Sequence, residues 1–240
     1  MKYAIFGDIH ANLEALEAVL ADAESKGCDQ FACIGDIVGY NANPTECLNR
    51  VRDLGCPVVK GNHDEEAAID TDITGLNPLA QAALEWTRNN ISDDDKQWLR
   101  ELRMVRQVRD FTVVHATLDS PTSWAYVMNK FDAMASFSYQ FTQLCFFGHT
   151  HTPRIYTKAG RVDSIDPTVV QVQDGTKYFV NVGSVGQPRD GDPRPCYCTF
   201  DIDNGEIAIH RIDYDRATAQ RKIIDAGLPP MLAERLNHGK

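Results

Sequence analysis

Between residues 1 and 60 the hydrophobic pattern alternates strand, helix, strand, helix, strand, and few architectures accommodate that order. The short apolar run Tyr3 to Phe6 is followed by Leu13, Leu16, Val19 and Leu20 at three- and four-residue intervals, one apolar helix face, and Gly27 stops that helix. A strand at Gln30 to Ile34, a second helical pattern and a strand at Pro57 to Val59 complete a β-α-β-α-β order. Such alternation predicts parallel strands joined by right-handed crossovers, with the loops after each strand gathered along one edge of the sheet. Function is therefore expected in those loops.

Residues 64–103 read as a mainly helical insertion, with Asn77-Pro78 and Ser92 as helix starts. The βα rhythm then resumes: a strand ending at Val113-Val114-His115, a helix from Phe131 to Phe141, and a strand from Leu144 to Phe147 that runs into Gly148-His149. Beyond Arg154 the pattern is strand-rich, at Ile155 to Thr157, Val169 to Val172, Tyr178 to Val182, Cys196 to Ile202 and Glu206 to Ile212, with Asp203-Asn204-Gly205 as a hairpin turn. This predicts a second, largely antiparallel sheet. Ala217 to Leu228 reads as a helix closed by Pro229-Pro230, and Met231 to Lys240 as a short tail helix or frayed end. The expected architecture is α/β (α+β): a four-layer sandwich of two facing mixed sheets flanked by helices, with residues 1–240 forming one domain.

Composition narrows the function classes. A formal charge of -10 and a pI near 5.1 give a field that repels long nucleic acid and anionic membrane, yet bound cations could still bring a small phosphorylated substrate to the site. The apolar start of the chain is too short for a secretory signal and no stretch reaches the ~18 apolar residues of a membrane span, so a cytoplasmic protein is expected. Seven cysteines without a CxxC pair read as reduced, buried thiols; the Cys196-Tyr197-Cys198 spacing alone does not make a zinc site.

The chemistry sits at the strand ends. Asp8 and His10 follow the first strand, Asp36 the second, Asn62 and His63 the third, and His115, His149 and His151 the next two. Five of the seven histidines therefore lie where strands stop, a distribution that core or surface histidines have no reason to adopt. Carboxylates, imidazoles and an amide carbonyl form a mixed nitrogen and oxygen set suited to Mn, Fe, Zn or Co, unlike a thiolate zinc site or an all-oxygen calcium site.

The ordered set DxH, GD, GNHD, H and GHxH resembles the calcineurin-like metallophosphoesterases, in particular their small prokaryotic phosphodiesterase-like branch, and the resemblance runs from Gly7 to the Asn181–Gly191 segment. It implies two divalent transition-metal ions, one held by Asp8, His10 and His151, the other by Asn62, His115 and His149, with the two oxygens of Asp36 divided between them. From this arrangement we expect a hydroxide held by both metals to attack phosphorus in line, and His63 to protonate the leaving alkoxide. Asp64 either orients His63 or caps the helix that begins there.

Phosphoprotein phosphatases of this superfamily continue the second motif as GDxVDRG, whose Arg clamps the substrate phosphate, whereas here Asp36 is followed by Ile37-Val38-Gly39-Tyr40 and that Arg is absent. Phosphodiesters or nucleotide-type small molecules are thus the expected substrates, with phosphomonoester or phosphoprotein hydrolysis, or an interaction scaffold with little catalysis, as alternatives. Tyr40, Asn41 and Asn43 either line the pocket or form a plain turn. Arg189 is expected in a surface salt bridge, with a substrate phosphate as its alternative partner. Specificity elements are expected within residues 64–103 and 118–134.

Overall fold

The computed structural model describes residues 1–166 and 169–240. Eleven strands among these residues form two mixed sheets. In the first, β2 (Gln30–Cys33) lies parallel to β1 (Lys2–Phe6), which pairs antiparallel with β10 (Cys196–Asp201), followed by β11 (Glu206–Arg211) and β8 (Val170–Gln171). In the second the order is β3 (Val105–Val108), β4 (Phe111–Val114), β5 (Leu144–Phe147), β9 (Lys177–Asn181), β6 (Arg154–Ala159) and β7 (Arg161–Ile165), with β4, β5 and β9 parallel.

Side-chain alternation makes these sheets face each other. On β1, Tyr3 and Ile5 point into a core shared with Phe111, Val113, Phe146 and Val180 of the second sheet, whereas Ala4 and Phe6 point the other way onto α1 (Leu13–Ser25). On β5, Phe146 points inward while Cys145 and Phe147 meet Ala133 and Phe137 of α6 (Lys130–Tyr139). The layers are therefore helix, sheet, sheet, helix, as expected. Phe111 sits at the middle, its ring edge-on to Tyr3 at 5.0 Å, Phe146 at 5.3 Å and Phe200 at 5.8 Å.

α2 (Pro44–Asp53), α3 (Asn62–Ala68), α4 (Pro78–Asn90) and α5 (Asp93–Glu101) cover the outer face of the first sheet with α1. Asn77 and Ser92 cap α4 and α5 with their side chains, as their positions predict. α7 (Arg216–Asp225) and α8 (Pro230–Arg235) pack against α4 and Tyr40. None of the helices among the described residues is long and apolar enough to cross a membrane. All seven cysteines are free thiols, and six are buried.

Two expectations are corrected. The strand at Pro57 to Val59 is reduced to single parallel bridges, Cys33 with Val58 and Val59 with Arg103. Pro57 accepts from the Cys33 amide but has no N–H to return, and the chain then turns into the GNHD loop. The strands beyond Arg154 do not build a sheet of their own. β10 covers the open edge of β1 and β9 that of β5, so each of those edges gains a backbone partner.

Replacing Phe111 with Ala should lower the unfolding free energy by about 3–5 kcal/mol, the cost of emptying a fully buried aromatic site. Urea denaturation measures it; a loss under about 1 kcal/mol would mean that the sheets do not rely on this ring.

Candidate metal centre

All seven candidate ligands are at strand ends or helix starts on one side of the facing sheets, and the backbone there is unusual. Asp8, His10, Asp36, His149 and His151 all take positive φ, between 47° and 66°, a region that costs a non-glycine residue energy. Backbone bonds hold it: the amides of Asp8 and His10 donate to the carbonyls of Gly35 and Asp36 at 2.9 Å, and Gly186 donates to the Asp8 carbonyl at 2.9 Å. Two motif glycines are explained by close approach. A Cβ on Gly61 would stand 2.0 Å from Asp36 Oδ1, and one on Gly148 would stand 2.3 Å from Asp8 Oδ2.

The turns bring the side chains into two groups that share one residue. Asp8, His10, Asp36 and His151 form one, and Asp36, His115 and His149 the other, with the potential ligand atoms of each within 4.8 Å of one another. Asp36 Oδ2 lies 3.6 Å from His10 Nε2 and 3.4 Å from His115 Nε2, so it faces both groups. Its Oδ1 instead accepts from the His63 amide at 2.9 Å. Oδ2 is thus the Asp36 oxygen that these contacts turn toward both groups, while Oδ1 is held by the loop.

Each imidazole is aimed by a backbone carbonyl. His10 Nδ1 meets Val38 O at 3.1 Å, His115 Nδ1 meets Ile34 O at 2.9 Å, His151 Nδ1 meets Gln187 O at 2.6 Å, and His149 Nε2 meets Trp124 O at 2.8 Å. A carbonyl can only accept, so those nitrogens carry the protons and the opposite nitrogens are bare. The bare atoms meet in pairs, His10 Nε2 with His151 Nε2 at 3.1 Å and His115 Nε2 with His149 Nδ1 at 3.2 Å. Lone pairs at that distance need a cation or a proton between them. Two further buried acceptors, Asp8 Oδ1 and Asn62 Oδ1, have no hydrogen-bond partner, which is the chemistry a divalent ion satisfies.

The electrostatics agree. Burial works against charge on Asp36, yet the His115 and His63 imidazoles hold its carboxyl well below the usual range. Burial lowers His149 to about 4 and pulls His10 well down, leaving neutral rings able to ligate. His115 is the exception, raised to about 9 because Asp36 and Asp8 outweigh its burial.

Sequence reasoning placed His63 in this cluster, and its buried ring lies 4.9 Å from that of His10 and 4.6 Å from that of Tyr40, with Nδ1 unpartnered. Of the two readings of Asp64, the geometry fits the cap at the start of α3. Its Oδ2 accepts from the amides of Asp36 and Gly61 at 2.8 and 3.0 Å and its Oδ1 from Ile37 at 2.8 Å, so it clamps the Asp36 loop to the start of α3 instead of orienting His63. Burial, with the Asp36 charge, raises that carboxyl to about 7. Arg189 is a correction: it forms no ion pair among the described residues, and one guanidinium nitrogen donates to Gln187 Oε1 at 3.0 Å and Tyr40 Oη at 3.3 Å. Its Nε is buried without a partner. The aiming carbonyls of Ile34, Val38, Trp124 and Gln187 went unseen in the sequence, since any residue type supplies one.

The family model of the calcineurin-like phosphoesterase superfamily domain matches residues 1–205. The chain belongs to that superfamily. A metallophosphoesterase from Sphaerobacter thermophilus superposes with a TM-score of 0.89 at 38% identity, over 100% of this chain and 99% of that one. An uncharacterised protein of Methanocaldococcus jannaschii is 36% identical across 99% of this chain and 98% of its own length. A hypothetical protein of Pyrococcus horikoshii shares the fold at 17% identity, with a TM-score of 0.79 over 100% and 98% of the two chains. Membership in the superfamily makes the chain a phosphoester hydrolase by class, with the buried Asp and His cluster as the place for divalent metal ions.

A cation between the facing imidazoles should stabilise the fold by mass action. Saturating Mn²⁺ is expected to raise Tm and a chelator to lower it, with Asp36→Asn weakening both shifts. A Tm indifferent to metal would count against the cluster as a metal centre.

Proposed function

We propose that the centre is binuclear and hydrolyses phosphodiesters or nucleotide-type small molecules, with residues 1–240 acting as one domain in the cytoplasm. Asp8, His10 and His151 would hold one transition-metal ion, Asn62, His115 and His149 the other, and Asp36 would serve both. The observation that carries this reading is the pair of ligand groups joined through Asp36 Oδ2. Two such ions would neutralise phosphoryl charge and make a nucleophile available at neutral pH. Mn, Fe, Zn and Co all suit the donor set.

The protein's own groups then divide the remaining work. His63 donates a proton to the leaving oxygen; burial lowers its pKa to about 4 in the resting site, and the negative charge of a bound phosphate acts in the opposite sense. Arg189, which pairs with no carboxylate among the described residues and lies between Gln187 and Tyr40, would contact a non-bridging phosphoryl oxygen. Tyr40 occupies the loop after Asp36 where phosphatases carry their phosphate-clamping Arg, and it packs on His10 at 4.7 Å. The resulting weaker grip on a dianionic monoester favours the diester. A net charge of -10 disfavours long polynucleotides.

The decisive experiment compares an aryl phosphodiester with the matching monoester on Mn²⁺-reconstituted protein, wild type beside Asp36→Asn. Diester cleavage that disappears in the variant is expected; a clear preference for the monoester would move the assignment to a phosphatase. His63→Ala should retain metal and lose about 10²- to 10⁴-fold in rate on an alkoxide leaving group, with a smaller loss on 4-nitrophenolate, which needs no proton. Equal losses on both leaving groups would remove His63 from the acid role.

A further inference from the structure

The loop between β4 and α6 presents two aromatic rings to the His115 and His149 half of the centre. Trp124 adopts φ 53°, a left-handed conformation that a bulky residue holds only under constraint. That twist directs its carbonyl to His149 Nε2 at 2.8 Å while its ring meets His115 edge-on at 5.9 Å. Two residues on, the Tyr126 ring lies over His149 with centroids 4.3 Å apart and planes 24° apart. Tyr126 nonetheless remains 53% exposed, so its second face is open beside the centre.

An exposed ring contributes little to folding, and orienting His149 is already accomplished by the Trp124 carbonyl. Tyr126 is also rigid, with two side-chain torsions and one face pinned, which lowers the entropic cost of stacking a ligand on the other. Farther along the same segment, Met128 and Phe131 are also exposed, at 65% and 72%. The His63 ring, by contrast, packs on His10 in the other half. In an in-line displacement the nucleophile stands opposite a leaving group protonated there, and the retained substituent, to the side of that axis, is the one that can extend to the Tyr126 half.

We infer that Trp124 and Tyr126 form a stacking platform for a planar aromatic group, a nucleobase or aryl ring, on the retained side of the substrate phosphate. This rests on the phosphoesterase reading above and adds the chemical class of one substituent.

Calorimetric binding of thymidine 5′-monophosphate and of methyl phosphate to Mn²⁺-loaded protein tests the platform without turnover. The nucleotide should bind about tenfold more tightly, which is about 1.4 kcal/mol and within the range of a single base–aromatic stack. In Tyr126→Ala that ratio should fall toward one, and Tyr126→Phe should restore it, with metal content measured in each protein. A ratio near one in the wild type, or one unchanged in Tyr126→Ala, overturns the platform; a ring that only steadies His149 would weaken both ligands by the same factor. Turnover of methyl 4-nitrophenyl phosphate is followed in parallel. Its absence with the affinity ratio intact would overturn the hydrolase reading and leave the platform standing.

Discussion

Four imidazoles and two carboxylates are packed around a region whose inward-facing acceptors find no donor among the described residues, and this requirement for positive charge organises the rest of the site. Each ring is turned by a carbonyl so that its bare nitrogen faces inward, and the bare nitrogens face one another at 3.1 and 3.2 Å. A buried arrangement of that kind is costly in isolation, because unsatisfied acceptors in a low-dielectric interior lose their hydration without replacement. It is tolerated where a cation completes it. The same reasoning explains the orphaned Oδ1 atoms of Asp8 and Asn62, which lie in the motifs that supply the imidazoles or next to them.

Holding such groups together requires backbone that ordinary loops avoid. The left-handed turns at Asp8, His10, Asp36, His149 and His151 aim successive side chains into the same volume, and the amide-to-carbonyl bonds between the DxH and GD loops keep them from relaxing. Asp64 acts in the same system. A carboxylate that accepts from three loop amides joins the Asp36 turn to the first turn of α3, and so fixes where Asn62 and His63 project. Its effect on chemistry is therefore through position. The facing sheets supply the stiffness underneath, since the Phe111 cluster locks β1 against β4 and β5, the strands whose ends carry Asp8, His115 and His149.

The parts of this structure readable from sequence are those whose signal is local. The helix of α1 follows from its apolar stripe and Gly27, and the caps at Asn77 and Ser92 follow from side chains that reach amides two or three residues away. Ligand types at strand ends are legible because the βα order itself places them. β3 and β7 were not, since Val105-Arg106-Gln107-Val108 and the exposed Arg161–Ile165 become strands only by pairing with β4 and β6 across tight turns at Arg109 and Gly160. The sheet membership of β9 and β10 depends on which edges stand open in three dimensions. The role of Asp64 was ambiguous for the same reason: its partners at Asp36 and Ile37 are 28 and 27 residues distant.

Charge ties the centre to its substrate. At a net -10 the molecule repels polyanions at long range, and screening reduces that repulsion to about 8–10 Å at ordinary ionic strength. A small phosphate ester inside that distance meets a different field. Arg189 is left unpaired by any carboxylate among the described residues, and its guanidinium stands beside Gln187 and Tyr40. Long polymers would carry many phosphates over the acidic exterior for each one placed at the centre, whereas a compact diester presents only the group that binds. In the function proposed above, the net negative charge would thus act as a size filter on a site whose local chemistry is otherwise suited to any phosphate ester, and the open face of Tyr126 would supply contacts that charge alone does not.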